Sequence, residues 1–490
     1  MKPNSNNKVL SNSVIYTVSG LLTKCFSLFL LPLYTSHLTT ADYGITNLST
    51  SFTHTVVFIV SFSLFSAIMR FYVDLKDDPE KLSRFYGSVV LFVSASCLVF
   101  GFLCFLLRVP LEKYIFSGVD FFPVILVTLV SLFFCCQHTI YDNILRSQQK
   151  AMKSSLLSII YFFTTVGFNI LFVVVLKLGA VGVILANALS AVWYTLYFWI
   201  DTLRKKEITL CIDWPIIKSA LKYSIPIMPH NLSTHIAVFF SNVLIGGTDS
   251  LSGLGVFSVA TQFGAVSDTV QNYVSQAYTP WLYEKLKSGE EGFKKSINTV
   301  ANVLTQVIGL FLLGIALFAH DYIVLFVDKA FRGAWKFVVL IVLVYAIKIA
   351  YYFFVAVLFY YKKASKKVFI ATLTGSLLNV FLSAFLIPAL GVYGSILSDG
   401  IAMFVRVAII IAMSRKFDDV GLKTKDFVFN VFLIIMFVLA GSALSYFKFG
   451  ETFSVVNFAY KILVVLIYIC VVLLRYKNQL LKFVKERLKK

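Results

Sequence analysis

About fourteen long apolar runs divide this 490-residue chain, and its basic residues fall in every second gap between them. A membrane-spanning helix needs about 20 mostly apolar residues. The runs cover 12–34, 45–70, 84–107, 121–145, 154–176, 180–200, 223–246, 254–280, 296–319, 337–361, 368–388, 392–413, 427–447 and 454–474. Thirty-two of the 44 Lys and Arg residues lie in the even gaps and at the two ends, seven in the odd gaps, and five inside runs. Positive charge in short loops stays on the cytoplasmic side. The pattern therefore predicts an all-α polytopic membrane protein with about fourteen transmembrane helices and both termini inside. A missed or spurious span would scramble the alternation, which favours an even number.

The net charge of +20 is read as a topology signal. Its basic residues are spread over eight short segments rather than gathered on one domain, which argues against a nucleic-acid partner. They are expected to touch anionic membrane lipids. Six of the seven cysteines fall in apolar runs, and none forms a CxxC pair, so no zinc site or disulfide framework is indicated. The first run is long, contains Lys24 and lacks a small-x-small cleavage site, unlike a cleaved signal peptide. The longest gap, roughly 201–222, is too short to bury a soluble core.

The chain repeats itself at a period of about 212 residues. Leu178-Gly179-Ala180-Val181-Gly182 matches Leu390-Gly391-Val392-Tyr393-Gly394, each preceded by a basic loop and a span with a central Asn, Asn169 or Asn379. Gly44 corresponds to Gly255. The copies share orientation, so the repeat is parallel: two six-helix lobes plus two C-terminal helices. The expected organisation is an N-lobe at 1–201, a cytoplasmic linker at 202–222, a C-lobe at 223–414, and the last two spans with a basic tail at 415–490.

Four spans carry polar stripes at steps of three and four, which places each set on one helix face. They are Thr17, Gly20 and Lys24; Asn47, Ser51, His54 and Ser61; Asn231, His235 and Asn242 with His230 nearby; and Thr261, Asp268, Asn272 and Ser275. Interhelical hydrogen bonds explain a single Ser or Thr equally well. They explain Lys24 and Asp268 poorly, since a mid-span charge costs roughly 2.5–3.5 kcal/mol on insertion scales. These spans open each half, so one cavity between the halves is expected to account for all four stripes.

Lys348 is flanked by Tyr345, Tyr351 and Tyr352, a setting suited to an anionic, sugar-bearing ligand or to plain packing. Asp399 and Arg406 share a face two turns apart and are each expected to find a partner across helices. Arg70 and Lys461 are read as snorkelling to the headgroups. His138 and Asp142 suggest a local pair, His320 a loop residue without a role, and Pro226 and Pro229 a bend. No Gly-rich phosphate loop appears, so ATP hydrolysis is not expected. No metal-ligand cluster appears either. The protein is read as a transporter and not an enzyme.

Several segments resemble the polysaccharide transporters, the Wzx-type oligosaccharide-lipid flippases. These are Leu31-Pro32-Leu33-Tyr34-Thr35 with Leu38 and Asp42-Tyr43-Gly44; Gly253-Leu254-Gly255-Val256-Phe257-Ser258-Val259-Ala260; and Pro280-Trp281-Leu282-Tyr283-Glu284-Lys285-Leu286. The resemblance implies the multidrug/oligosaccharidyl-lipid/polysaccharide exporter fold in a bacterial cytoplasmic membrane. It implies flipping of undecaprenyl-diphosphate-linked repeat units for capsule, O-antigen or exopolysaccharide, by alternating access through a cationic cavity. Carried over by place, Lys24, Arg70, Lys348 and Arg406 would pair with the diphosphate and acidic sugars. His54, His230, His235, Asn231, Asp268, Asn272 and Asp399 would supply polar lining or couple H+ or Na+, with no other cofactor. A monomer is expected, with a polysaccharide polymerase and chain-length proteins as candidate partners. One departure is Ser241-Asn242, where many relatives carry an acidic-basic pair. The rival readings are a multidrug/cation exporter of the same fold and a membrane glycan polymerase. The deep bases Lys24, Lys348 and Arg406 outnumber the deep acids Asp268 and Asp399, which favours anionic cargo.

Overall fold

A computed structural model describes residues 19–24, 26–289, 292–365, 367–417 and 420–488. Among these the chain is all-helical, without strands. The main helices are α1 Ser19–Thr35, α2 Thr40–Val60, α3 Leu64–Leu75, α4 Pro79–Leu106, α5 Phe121–Ser147, α6 Ala151–Val175, α7 Gly179–Arg204, α8 Trp214–Ser224, α9 Met228–Thr248, α10 Leu251–Ser288, α11 Phe293–Phe326, α12 Ala334–Tyr360, α13 Val368–Leu390, α14 Val392–Phe417, α15 Thr424–Leu444 and α16 Val455–Leu488.

Each of the fourteen apolar runs falls on helix, except that residues 12–18 and Cys25 of the first lie outside the described residues. Among the described residues ten helices are long and apolar enough to cross a membrane, or eleven if the bent pair α2 and α3 forms one span. The remaining runs map to α1, which is short, and to α9 and α10. Both α9 and α10 have the length, but they carry the polar stripes, which lower their apolar character.

The run read as one straight span at 45–70 is bent by 48° between α2 and α3. Phe62 and Ser63 take left-handed backbone angles there, with φ of 49° and 53°. The hydroxyls of Ser61 and Ser63 are buried at the break without a hydrogen-bond partner. The expected proline bend takes another form. Pro226 lies in the turn between α8 and α9, and Pro229 sits in the first turn of α9, where its missing N–H costs nothing.

By packing, the chain divides into two units, 1–255 and 256–490, and α10 runs through the boundary. In the first unit the Asp-Tyr-Gly segment has a structural explanation. Thr39 and Asp42 form a reciprocal capping box on α2. The same Asp42 carboxylate accepts from the Ala180 N–H of α7 at 3.0 Å, so one side chain ties two helix starts together. Gly44 lies where the first turn of α10 crosses α2. A Cβ on Gly44 would stand 1.9 Å from the Leu251 carbonyl oxygen, and one on Gly255 would stand 1.8 Å from the Thr40 oxygen. Only glycine permits that approach. The two glycines matched by the internal repeat are thus each other's neighbours. Gly44→Val is expected to cost at least the roughly 1–3 kcal/mol of overpacking, because both clashing atoms are backbone. The check is the yield of monodisperse protein extracted from membranes, with Gly101→Val, which has open space, as the control.

The segment after α7 is held down. Ser83 and Thr209 hydroxyls lie 2.6 Å apart, Ser88 donates to the Cys211 carbonyl at 3.0 Å, and the Asp213 N–H donates back to Ser88 at 2.9 Å. Asp213 then caps α8. Of the stretch 202–222 read as a linker, only 205–213 lies outside helix.

In the second unit, hydrogen bonds join α11 to α15 and α16. Asn298 and Asn302 donate to Asp426, Asn430 donates to Asn302, and Tyr468 donates to Gln306 at 2.5 Å. Two expectations are corrected at the end of α11. Lys461 does not snorkel: it is buried with 1% of its side chain exposed and bonds Asp321 at 2.7 Å. His320 is not a loop residue. It lies buried in α11, with Nδ1 3.1 Å from the Lys461 ammonium and Nε2 2.9 Å from the Gly450 carbonyl. Lys461 carries only donors, so His320 accepts at Nδ1 and donates from Nε2.

Candidate functional site

The first unit gathers most of its candidate polar residues on α2, α3 and α9. His54 and His235 face each other edge to face, with ring centroids 6.5 Å apart, and Phe58 stacks on His235 at 4.8 Å. Thr55 donates to the His235 carbonyl at 3.2 Å, which fixes α9 against α2. Asn231 donates to Ser66 at 3.2 Å, so the polar stripe of α9 meets the bent helix pair just beyond its break. His54 and His230 are exposed, whereas Asn242 and Ser241 are buried packing groups. Lys24 is exposed on α1 and its charge reaches His54. It makes no ion pair with an acid among the described residues.

Arg70 is not part of this group. It is half-exposed and pairs with Asp74, one turn along the same helix. The His138–Asp142 pairing is also corrected. Asp142 instead binds Arg146 at 2.8 Å and Ser154 at 2.7 Å. His138 stacks on Tyr161 at 4.8 Å and meets Tyr194 edge-on at 4.1 Å.

The second unit brings four charges together from α10, α12 and α14. Lys348 donates to Asp268 at 2.6 Å, and Tyr352 donates to the same oxygen at 2.9 Å. The Lys348 ammonium lies 5.3 Å from the Tyr345 ring centroid and 5.5 Å from that of Tyr352, within cation–π range. The spacing explains the set: residues 345, 348 and 352 are three and four apart and share one face of α12. Gln271, one turn-step beyond Asp268, donates to the Tyr345 carbonyl at 2.9 Å and locks α10 to α12. Asn272 is exposed and accepts weakly from Gln276 at 3.4 Å.

Asp399 and Arg406 find their partners on α13, as their positions suggested. Asn379 donates to Asp399 at 3.3 Å, and Arg406 donates to Ser376 at 3.1 Å. Arg406 also fills the space above Gly375, where a Cβ would meet its Nε at 2.7 Å. Asp399 feels the charges of Lys348, Arg406 and Asp268. The cluster therefore holds two acids and two bases. Within this cluster Asp268 and Asp399 match Lys348 and Arg406; the third deep base of the sequence count, Lys24, lies in the first unit. Asp268 keeps 38% of its side chain accessible and Lys348 16%, so the pair is open to a solute rather than sealed.

Gln271 and Ser376 escaped sequence reasoning because neither carries charge, and an isolated amide or hydroxyl in an apolar run has no distinguishing pattern. A further cluster was also missed. Asp201 binds Lys153 at 2.5 Å, Lys205 at 2.7 Å and Tyr141 at 2.7 Å, and holds the Lys205 ammonium above its usual range. Its position at the end of α7, with 11% of the Asp201 side chain accessible, marks it as a fastening between α5, α6 and α7.

Helices long and apolar enough to cross a membrane, with charged groups set among them, define an α-helical membrane protein, and solved structures share its fold. The chain matches a structure described as lipid II flippase MurJ in an inward closed conformation, at 16% identity, with a TM-score of 0.71 over 95% of this chain and 100% of that one. It also matches an inward-facing multidrug resistance MATE family transporter of the MOP superfamily, at 17% identity, with a TM-score of 0.61 over 81% of this chain and 98% of that one. At those identities the likeness establishes the fold. Residues 9–285, more than half of the chain, match the family described as polysaccharide biosynthesis protein, and the chain belongs to that family. No curated protein relative matches it in sequence.

Proposed function

We propose that this protein flips undecaprenyl-diphosphate-linked oligosaccharide units across a bacterial cytoplasmic membrane, for capsule, O-antigen or exopolysaccharide synthesis. The reading rests on membership of a polysaccharide biosynthesis family and on a fold shared with a lipid II flippase. The observation that carries it is Lys348, a cation at membrane depth, partly accessible and set between two tyrosine rings. A diphosphate attracts the ammonium, and tyrosine faces and hydroxyls suit sugars.

In this reading the chain crosses the membrane fourteen times with both ends inside, which the distribution of its basic loops supports. The glycan passes through a wet path while the polyprenyl tail stays in lipid. Lys348 starts the cycle bound to Asp268. To hold a phosphate it must leave that carboxylate. A proton or sodium ion on Asp268 removes the competing charge, and its departure draws Lys348 back and releases the cargo.

A second reading has its own support. The balanced charges around Asp268 and Asp399 would also suit a cationic solute, and the MATE likeness allows a multidrug exporter. Proteoliposomes separate the two. With a fluorescent polyprenyl-diphosphate glycan, purified protein should move label to the far leaflet at least tenfold faster than empty vesicles. Export of cationic dyes with no flipping of the glycan lipid would reject the flippase in favour of the exporter.

A further inference from the structure

The end of α14, the start of α15 and the far part of α16 meet at one edge of the second unit. Arg415, Thr424, Lys425, Val428, Phe429 and Phe432 line a groove there of about 550 Å³. A third cation stands beside it: the Arg475 guanidinium stacks 3.9 Å from the centre of the Phe429 ring, one of the lining residues. The Thr424 hydroxyl is buried without a hydrogen-bond partner. No side chain caps the N-terminus of α15, so its first N–H groups face this end with the positive pole of the helix. Asp426, next to Lys425 in the chain, is committed elsewhere, accepting from Asn298 at 2.8 Å. Asp418 and Asp419 lie outside the described residues.

The groove is not merely a phosphate hole. Val428, Phe432, Met436 and Leu439 follow at steps of four, four and three, and all are exposed. At 1.5 Å per residue they form an apolar track of about 17 Å leading away from the three cations. A free phosphate has no use for such a track. A phospholipid acyl chain does.

We propose that this groove is a docking site for one anionic phospholipid. Its phosphate sits among Arg415, Lys425 and Arg475, with Thr424 donating a hydrogen bond, and its acyl chain lies along Phe432 and Met436. The site is separate from the charges of α10, α12 and α14, so the lipid here is held rather than transported. Its placement in the inner leaflet rests on the orientation proposed above; its existence does not.

The test is equilibrium lipid retention by the full chain in phosphatidylcholine nanodiscs doped with phosphatidylglycerol, read by native mass spectrometry, with no transport step involved. Wild type should retain phosphatidylglycerol over phosphatidylcholine. The triple variant Arg415→Gln, Lys425→Gln, Arg475→Gln should lose that preference about a hundredfold, and each single variant about fivefold. Arg415→Lys with Arg475→Lys should keep most of it, which separates lost charge from lost folding. Lys287→Gln, in the last turn of α10, should match wild type. Unchanged preference in the triple variant would overturn the site. So would full displacement of the lipid by glycerol phosphate, which would mean a free-anion site, or tighter retention of undecaprenyl diphosphate than of phosphatidylglycerol, which would make it a cargo site.

Discussion

Lys461→Met is expected to destabilise the protein by about 3–5 kcal/mol, the range found when one partner of a buried ion pair is removed. The loss leaves Asp321, only 5% exposed, without its cation. It also strips the Nδ1 partner from His320, whose ring is wedged edge-on against Trp335 at 4.9 Å. Asp321→Leu alone should cost a similar amount by stranding the lysine. The two together should recover much of the loss, because two apolar side chains replace two charges at once. Thermal unfolding of the purified protein in one detergent checks the cycle. Additive losses in the double variant would mean that the two residues do not act as a pair.

Lys348→Gln is expected to reduce flipping by about 10- to 150-fold, the rate equivalent of losing a charge-assisted hydrogen bond of about 1.5–3 kcal/mol. The informative comparison is with Asp268→Asn and the double variant. If Lys348 serves cargo, the neutral pair stays as inactive as Lys348→Gln, since removing the carboxylate restores no cation. Recovery of transport in the double variant would assign the pair a structural role and sink the mechanism proposed for it. Asp268→Asn alone should free Lys348, tighten cargo retention and slow release. Proteoliposome flipping rates, with unfolding temperatures to exclude misfolding, decide among these.

The fourteen apolar runs located the helices because a spanning segment is recognised by local composition alone. Gly44 and Gly255, singled out by position in the proposed repeat, meet at a backbone crossing. Two stripe residues, Asn231 and His235, meet neighbouring helices. Single charges were less legible. Arg70 resembled Lys348 as a basic residue in an apolar run, yet one pairs within its own helix and the other across two helices. Length and apolarity gave no warning of the break at residues 61–63, because a left-handed turn of two non-glycine residues leaves the run of apolar side chains intact.

The amino-acid order by itself determined the class, the helix positions and the family, since each depends on runs, spacings or short segments read along one strand of chain. Tertiary structure decided which charges neutralise each other. Lys461 lies 140 residues from Asp321, and Lys348 lies 80 from Asp268. In a helical bundle such partners are chosen by which faces pack together, and no periodicity within a single helix encodes that choice.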